Sequence, residues 1–321
     1  MVVVTGPTAA GKSAVAMELA LRFGGEIVNA DSMQVYRYLD IGTAKPSLAD
    51  RTRVPHHVID VVHPRQGYSA GRYLEDARAA ARGVHERGRV VFLTGGTGLY
   101  IRAFLHGLLG AGGAEPELRA ALEAADREAR DAGDPARLHR RLAGLDPETA
   151  RRIHPNDTRR LVRALELAVH WGTPASRLHA AHRFAEQPYR VLHLALDPGT
   201  EPLDRRIDAR CAQMIERGLL QEVRALRRRG VGPDARCMQA IGYRHMAPVV
   251  DGRDTLANAA EAMQRDTRRF ARRQRTWLRS VSDLTVLHPD DADAIAGAVA
   301  AFLGGCPLER AAEAQYAGSD V

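Results

Sequence analysis

A glycine-rich segment close to the start of the chain carries the clearest chemical signal. It reads Gly-Pro-Thr-Ala-Ala-Gly-Lys-Ser and fits the pattern G-x-x-x-x-G-K-[ST], between an apolar run and an amphipathic stretch. In that setting backbone N–H groups face a phosphate, and the N-terminus of the following helix adds partial positive charge. The lysine is expected to reach the terminal phosphates, and the serine hydroxyl to hold Mg²⁺. The predicted diphosphate- or nucleotide-binding residues are Gly6, Pro7, Thr8, Ala9, Ala10, Gly11, Lys12 and Ser13.

Two more polar residues follow apolar runs and are candidates for the same site. Asp31 ends the run Glu26–Asp31, and Thr97 lies in a Gly-Gly-Thr-Gly turn after the run Val90–Thr94. Ligands of doubly wound sheets bind beyond the carboxyl ends of the strands, so both residues are expected at one cleft mouth. On spacing alone, Asp31 could instead cap a turn, and the glycine turn could serve close packing. Asp60, inside an apolar run, is expected to be a structural group.

The elements that must position these residues alternate between strands and helices. The apolar runs that predict strands are Val2–Thr5, Glu26–Asp31, Val58–Val62, Val90–Thr94 and Val191–Leu196. The periodic segments that predict helices are Ser13–Phe23, Gly71–Arg87 and most of the chain from Leu203 to Leu278. This alternation predicts an α/β fold with a parallel, doubly wound sheet.

The composition of the sequence changes from about Glu115. Beyond this point Ala, Arg and Glu dominate, and no run of residues predicts a strand until Val191. We predict a phosphate-loop core from residues 1–114 and 189–303, with a helical insertion domain over residues 115–188. The last segment, 304–321, consists mostly of small and polar residues and is expected to be a flexible tail.

The composition is that of a globular protein without membrane or metal signals. The chain has 321 residues, 45% of them hydrophobic and 26% charged, which is an ordinary globular profile. No apolar run approaches the roughly 20 residues that cross a bilayer, and the first residues lack the basic region of a signal peptide. The three cysteines have neither metal-ligand nor disulfide spacing. The expected compartment is the cytoplasm.

The net charge of +7 favours a polyanionic partner. Lysine occurs only at Lys12 and Lys45, so both are expected to do something that a guanidinium cannot. The arginines are concentrated near 159–163, 227–229, 244 and 265–279. Such runs are either solvated helix faces or a track for a nucleic-acid backbone. In the last of them, Met263, Phe270 and Trp277 recur every seven residues and are expected to form the buried stripe.

The residues by themselves leave three functions open. A phosphate loop most often binds a nucleoside triphosphate, which favours a small-molecule or nucleoside kinase. The basic surface favours an RNA-modifying transferase, or a non-catalytic protein that captures backbone phosphate. No kinase signature or helicase box follows the loop, and the His56-His57 pair is interpreted as local packing because no third metal ligand is evident.

The ordered motifs together resemble those of the tRNA dimethylallyltransferases, also called tRNA isopentenyltransferases. They cover about residues 2–282 and read GPTAAGKS, NADSMQVYRYLDIGTAKP, VPHHVIDVVHP, LTGGTGLYIRAFLHG, RRIHPNDTRRLVRALE, MQAIGYR and RRFARRQRTWLR. The resemblance implies a P-loop NTPase-like parallel sheet flanked by helices, with an insertion domain that contacts tRNA. It also implies transfer of a dimethylallyl group from its diphosphate to the exocyclic amine of the adenosine 3′ of the anticodon.

The resemblance assigns roles to particular residues. Asp31 would be the general base, Thr97 would lie beside the reacting centre, and Arg210 would be a second diphosphate contact. The residues that correspond to tRNA contacts are Asp31, Ser32, Met33, Gln34, Thr97, Arg119, Arg159, Arg160, Leu161, Val162, Arg163, Gln239, Gly242, Tyr243 and Arg244. Mg²⁺ at Ser13 is the expected cofactor, and the expected partners are dimethylallyl diphosphate and the tRNA anticodon stem-loop. The loop amides would also suit ATP, and a monomer is expected.

Overall fold

The computed structural model describes residues 1–109, 116–182 and 188–304, which fall into two compact units. One unit comprises Met1–Leu105 with Gln187–Val321, and the other comprises His106–Glu186. The first division therefore lies at Leu105, not at the predicted boundary after residue 114. The predicted tail lies outside the described residues except for Gly304, which ends the last helix.

The first unit is built on one sheet of six parallel strands. The strands are β1 (Val2–Thr5), β2 (Gly25–Asn29), β3 (His56–His57), β4 (Val90–Thr94), β5 (Leu192–Leu196) and β6 (Leu284–Leu287). Their order is β3-β2-β4-β1-β5-β6, and every pairing is parallel. All residues of β1, β2 and β4 are buried, as expected of strands whose two faces are both covered by helices.

Helices connect the strands and surround the sheet. Those of the first unit are α1 (Lys12–Arg22), α2 (Leu48–Arg53), α3 (Ala70–Glu86), α4 (Gly98–His106), α10 (Thr200–Glu216), α11 (Leu219–Arg228), α12 (Tyr243–Val250), α13 (Leu256–Leu278) and α14 (Ala292–Gly304); α4 ends one residue into the second unit. Among the described residues, none of the helices combines the length and the apolar character that a membrane crossing needs. The predicted fold, a P-loop NTPase-like parallel sheet flanked by helices, is confirmed.

The second unit has its own hydrophobic core. Its helices are α5 (Pro116–Asp131), α6 (Arg137–Leu145), α7 (Pro147–Arg152), α8 (Thr158–Trp171) and α9 (Ala175–His182). Leu122, Leu142, Leu161 and Leu165 lie in the centre of this core. The side chain of Asp157 accepts a hydrogen bond from the Arg160 N–H at 3.2 Å and so begins α8.

One strand prediction near a sheet edge is wrong, and one edge strand was not predicted. The segment Val58–Val62 forms only an isolated bridge between Val62 and Tyr36, and the strand before it is the two-residue β3. Val58 and Asp60 have φ values of 60° and 58°, a left-handed conformation that ends an extended ladder. Strand β6 was not predicted, because it is a short and partly exposed edge strand with a weak apolar signal.

The predicted buried stripe of α13 is also wrong in part. Its buried residues are Ala259, Met263, Thr267, Ala271, Gln274 and Leu278. Phe270 and Trp277 are half-exposed. The observed spacing of mostly four residues follows the 3.6-residue turn of a straight helix, whereas a strict seven-residue repeat drifts around it.

Candidate active site

Three loops meet beyond the carboxyl ends of the adjacent strands β2, β4 and β1. The loop after β1 holds the phosphate-loop motif, the loop after β2 holds Asp31, and the loop after β4 holds Gly95 and Gly96. Together with α10 and α13 they line one cleft, whose polar lining residues include Lys12, Ser13, Asn29, Asp31, Gln34, Arg210 and Gln274. The three loops therefore converge as predicted, but of the two candidate residues Asp31 lines the cleft and Thr97 does not.

The phosphate loop depends on residues that tolerate unusual backbone angles. Gly6 has φ 146°, and a Cβ there would lie 2.4 Å from the carbonyl oxygen of Leu196. Gly11 has φ 92° and immediately precedes α1. Of the eight predicted loop residues, five line the cleft, namely Thr8, Ala9, Gly11, Lys12 and Ser13. The other three, Gly6, Pro7 and Ala10, are buried and give the loop its shape.

Two cations face this cleft. Nζ of Lys12 donates a hydrogen bond to the Pro7 carbonyl at 2.7 Å, which holds the ammonium over the loop. Burial and the nearby charge of Arg210 lower the pKa of Lys12 to about 7, while Asp31 partly opposes that shift. Burial also lowers the pKa of Arg210, again partly opposed by Asp31. An anion with two or more charges would supply the negative charge that this cleft lacks.

Arg210 has no hydrogen-bond or ion-pair partner among the residues that the structure describes. It lies on α10, half-buried in the cleft lining. Buried cations are normally paired, so an unpaired guanidinium directed at a phosphate loop indicates a binding function. Arg210 thus lines the same cleft as the phosphate loop, and its role as a second diphosphate contact stays a prediction.

The two carboxylate oxygens of Asp31 differ in their hydrogen bonding. Its Oδ1 accepts hydrogen bonds from the Met33 N–H at 2.8 Å and the Gln34 N–H at 3.3 Å. Its own N–H donates to Oδ1 of Asn29 at 3.2 Å. Oδ2 makes no hydrogen bond within the described part of the chain. Oδ1 therefore caps the turn, as one interpretation of the sequence predicted, while Oδ2 remains free for the predicted role in the site.

Thr97 links two of the loops. Its hydroxyl oxygen accepts a hydrogen bond from the Ser32 N–H at 3.0 Å and lies 3.3 Å from the Ser32 hydroxyl. Gly95 and Gly96 line the cleft, but Thr97 does not. A Cβ on Gly95 would lie 2.3 Å from the backbone of Ala30, so the glycine turn also serves close packing.

Several residues that line the cleft were not predicted from the sequence. Asn29, Thr43, Ala44, Phe270 and Gln274 all face the cleft. Gln274 lies within the basic segment RRFARRQRTWLR, where a glutamine among arginines was the available signal. The two histidines that were interpreted as packing each have a partner. His56 contacts the Val54 carbonyl at 2.7 Å, and His57 contacts Glu26 at the same distance.

Comparisons with known proteins agree with this geometry. The IPP transferase family model matches residues 34–281, and the isopentenyl transferase model matches residues 1–60. A tRNA dimethylallyltransferase of Desulfatibacillum aliphaticivorans is 48% identical over 303 residues, which cover 94% of this chain and 98% of that protein. One from Anaeromyxobacter dehalogenans is 50% identical over 297 residues, covering 92% and 95%. The chain belongs to the tRNA dimethylallyltransferase family.

Solved structures of the family have the same architecture. The full-length tRNA isopentenylpyrophosphate transferase of Bacillus halodurans is 37% identical, with a TM-score of 0.69 over 97% of each chain. A eukaryotic dimethylallyltransferase, described as acting on tRNA, is 29% identical with a TM-score of 0.79, covering 91% of this chain and 74% of that one. The family resemblance seen in the sequence is confirmed.

The tRNA-contact segments expected of a dimethylallyltransferase differ in exposure within the first unit. Gln239 and Arg244 are exposed; Arg244 pairs with Asp266 at 2.5 Å. Gly242 and Tyr243 are buried, and the Tyr243 hydroxyl donates to Glu222 at 2.6 Å. The structure therefore contradicts a surface contact through the Tyr243 side chain, which instead packs against the loop before Lys45.

The same segments in the first unit include the loop from Asp31 to Gln34. Ser32 and Met33 are partly exposed, but Gln34 is only 9% exposed. The Gln34 side chain donates hydrogen bonds to the Thr43 carbonyl at 3.1 Å and to the Ala44 carbonyl at 3.4 Å. Gln34 thus holds the segment of Thr43 and Ala44, which lines the cleft, and it lines the cleft itself.

In the helical unit, two predicted contacts are buried. Leu161 and Val162 lie in the core of that unit, because they occupy the inward face of α8. Arg119 makes a bidentate pair with the buried Glu166, both bonds measuring 2.7 Å, and Arg163 lies 3.4 Å from the same carboxylate. Arg159 and Arg160 are exposed. Arg160 also lies 3.4 Å from the Asp157 carboxylate, whereas Arg159 makes no ion pair with another described residue.

Proposed function

We propose that this protein transfers the dimethylallyl group of dimethylallyl diphosphate to the exocyclic amine of the adenosine 3′ of the tRNA anticodon. The observation that carries the proposal is the cleft in which Lys12, Ser13 and Arg210 face the free oxygen of Asp31. A diphosphate on the cationic side and an amine on the carboxylate side would meet across it. That the substrates are a tRNA and a prenyl diphosphate is inferred from membership of the family.

The cationic side of the cleft suits the leaving group. As the bond between the allylic carbon and the diphosphate oxygen breaks, negative charge grows on the diphosphate. Free N–H groups of the loop, Lys12 and Arg210 would stabilise that charge, and they would need little reorganisation because they line the same cleft. The same N–H groups would also accommodate the phosphates of ATP.

Asp31 would position and deprotonate the nucleophile, which is the exocyclic amine of the adenine. The adenine amine is neutral and weakly nucleophilic, so its placement must supply much of the rate. Oδ2 of Asp31 can accept a hydrogen bond from that amine and take its proton as the carbon–nitrogen bond forms. Oδ1 keeps the turn with Met33 and Gln34, which fixes the direction of the carboxylate.

The cleft fits a magnesium ion bound mainly through substrate. The Ser13 hydroxyl lines the cleft and makes no hydrogen bond to another described residue. In the described ranges, no group of three or more His, Cys, Asp or Glu side chains could hold a metal. Mg²⁺ prefers few protein ligands together with phosphate oxygens and water. Ser13 would hold it, and the ion would neutralise charge on the diphosphate.

We further propose that the protein acts on cytoplasmic tRNA as a monomer. The exposed arginines would bind the RNA backbone and set its register. The target base must leave its stack to enter the cleft, which costs roughly a few kcal/mol, and these phosphate contacts can offset that cost.

Mass spectrometry of an unmodified anticodon stem-loop tests the proposal. The RNA is incubated with the protein, Mg²⁺ and dimethylallyl diphosphate, and then digested to nucleosides. We expect a gain of one C₅H₈ unit on the adenosine 3′ of the anticodon. If the RNA is unchanged while ATP is consumed in a parallel reaction with a nucleoside, the protein is a kinase and the proposal is wrong.

A further inference from the structure

Gln274 of α13 joins two of the cleft loops through one side chain. Its Oε1 accepts a hydrogen bond from the Thr8 N–H of the phosphate loop at 2.8 Å. Its Nε2 donates to the Gly96 carbonyl of the loop after β4 at 2.9 Å. Because one partner can only donate and the other can only accept, the orientation of the amide is unambiguous.

The packing around this amide leaves little freedom. Gln274 is 7% exposed, and a Cβ on Gly96 would lie 2.3 Å from its Nε2. One turn further along α13, the Trp277 ring lies against Gly98, where a Cβ would be 2.4 Å away. On the side of β5, Arg275 pairs with Asp197 and donates to the Thr200 hydroxyl at 2.9 Å. The helix is thus anchored on both sides of the glutamine.

The two loops that Gln274 joins serve different substrates under the proposed function. The phosphate loop would hold the prenyl donor. Thr97 follows Gly96 directly, and its hydroxyl oxygen binds the Ser32 N–H in the loop of Asp31. The chain of contacts Thr8–Gln274–Gly96–Thr97–Ser32 therefore connects the donor side of the cleft to the carboxylate side.

We propose that Gln274 is a positioning residue that holds the phosphate loop and the Gly96–Thr97 loop at the separation needed for transfer. The proposal rests on the proposed function, because it assumes that donor and acceptor meet between these loops. Gln274 acts through Thr8 and Gly96 and takes no proton itself. Misplacement of reacting groups by about 1 Å can cost on the order of 100-fold in rate, so the effect should be kinetic.

The first test replaces Gln274 with a residue of similar length that lacks both hydrogen-bonding groups. For Gln274→Met we expect kcat to fall by roughly 10- to 100-fold. We expect the KM for the stem-loop to stay within about twofold, because the arginines that contact RNA are unchanged. Gln264→Met is the matched control, since Gln264 lies on the same helix and makes no hydrogen bond to a described residue. It should behave as the wild type.

The second test approaches the same contact from the other loop. Gly96→Ala should displace the Gln274 amide, because the new Cβ would lie 2.3 Å from Nε2. If the contact is what matters, the double variant Gly96→Ala with Gln274→Met should lose no more activity than the stronger single variant. Additive losses would mean that the two residues act independently, and the proposal would then be wrong.

Thermal unfolding and diphosphate binding separate the other outcomes. A Gln274→Met protein that unfolds at a lower temperature but keeps wild-type kcat when assayed well below that temperature would show a purely structural role and overturn the proposal. Should this variant fail to fold, the kcat of Gly96→Ala decides the question. If even the wild type transfers no prenyl group, the proposed function has failed. Weaker binding of inorganic diphosphate by Gln274→Met, with wild-type binding by Gln264→Met, would then still support the loop-positioning role.

Discussion

The ammonium nitrogen of Lys45 lies 2.7 Å from a carboxylate oxygen of Asp60. The same nitrogen donates to Asp40 at 2.7 Å and to the Tyr36 carbonyl at 2.8 Å, and the side chain is 1% exposed. Three acceptors converge on one small cation, an arrangement that a planar guanidinium cannot reproduce. One of only two lysines therefore fastens the loop between β2 and β3, whose residues Thr43 and Ala44 line the cleft.

We predict that Lys45→Met lowers the free energy of unfolding by roughly 1–3 kcal/mol, because the buried Tyr36 carbonyl and the partly exposed Asp60 carboxylate lose their cation. Lys45→Arg should also destabilise, by roughly 1–3 kcal/mol, because the guanidinium overfills the site. Urea unfolding measures both. The exposed Arg53→Met is the control and should stay within about 0.5 kcal/mol of the wild type. If Lys45→Arg unfolds like the wild type, the ammonium geometry is not what the site requires.

The buried carboxylate of Glu26 makes the stability of the protein depend on pH. Hydrogen bonds from Arg87 lower the pKa of Glu26 most strongly; burial opposes this effect, and His57 adds to it. Arg87 binds both oxygens, at 3.0 and 2.7 Å. A carboxyl group whose pKa is depressed in the folded state stabilises the protein above its unfolded pKa of 4.5. That contribution disappears as the pH falls through the folded pKa.

We therefore expect Glu26→Gln to be less stable than the wild type at about pH 7, by roughly 1–3 kcal/mol. The difference should shrink as the pH falls below 4.5 and through the lowered pKa of folded Glu26, because the wild-type side chain then also becomes neutral. Urea unfolding across that range provides the measurement, with the exposed Glu201→Gln as the control. A stability difference that is independent of pH would show that packing, not charge, explains the effect.

Removal of the Asp31 charge should stop the chemistry without disturbing the loop. Asn at this position keeps an oxygen for the N–H groups of Met33 and Gln34 but cannot take a proton. We predict that Asp31→Asn lowers kcat by about 100- to 10,000-fold while the Kd for the stem-loop is unchanged. Asp234→Asn, at an exposed position, is the control. Turnover within threefold of the wild type would remove Asp31 from the role of base.

Loss of the loop cation should affect the donor. For Lys12→Met we expect kcat/KM for dimethylallyl diphosphate to fall on the order of 100-fold, because the group that faces the developing charge is gone. Binding of the stem-loop should be unaffected. Arg22→Met, at the other end of α1, is the matched control. An unchanged dependence on donor concentration would contradict the assignment of the phosphate loop.

The helical unit allows a comparison of two arginines that the family resemblance treats alike. Arg159 is exposed and makes no hydrogen bond or ion pair with another described residue, whereas Arg119 is engaged by Glu166. We predict that Arg159→Ala weakens stem-loop binding and reduces the slope of log Kd against log salt by about 1. Arg119→Ala should instead lower the melting temperature, because Glu166 is buried. Binding titrations at several salt concentrations provide the measurement. If the slope of log Kd against log salt for Arg159→Ala equals that of the wild type, Arg159 does not contact the RNA backbone.

The sequence by itself determined the parts of this protein that depend on local spacing. The glycine turn of the phosphate-loop motif and strands β1 and β4 were predicted correctly, because glycines and buried apolar runs act within a few residues. The motif order was also sufficient to identify the family, since its distinctive segments extend over nearly the whole core.

The tertiary structure decided which side chains of those motifs are free to act. Leu161, Val162 and Tyr243 lie inside motifs expected to contact RNA, yet packing from distant elements buries them. Gln274, which lies 266 residues after Thr8, reaches the cleft only because α13 packs across two loops. Local sequence fixes backbone preference, but burial and hydrogen-bond partners depend on which distant elements meet, and only the folded chain settles that.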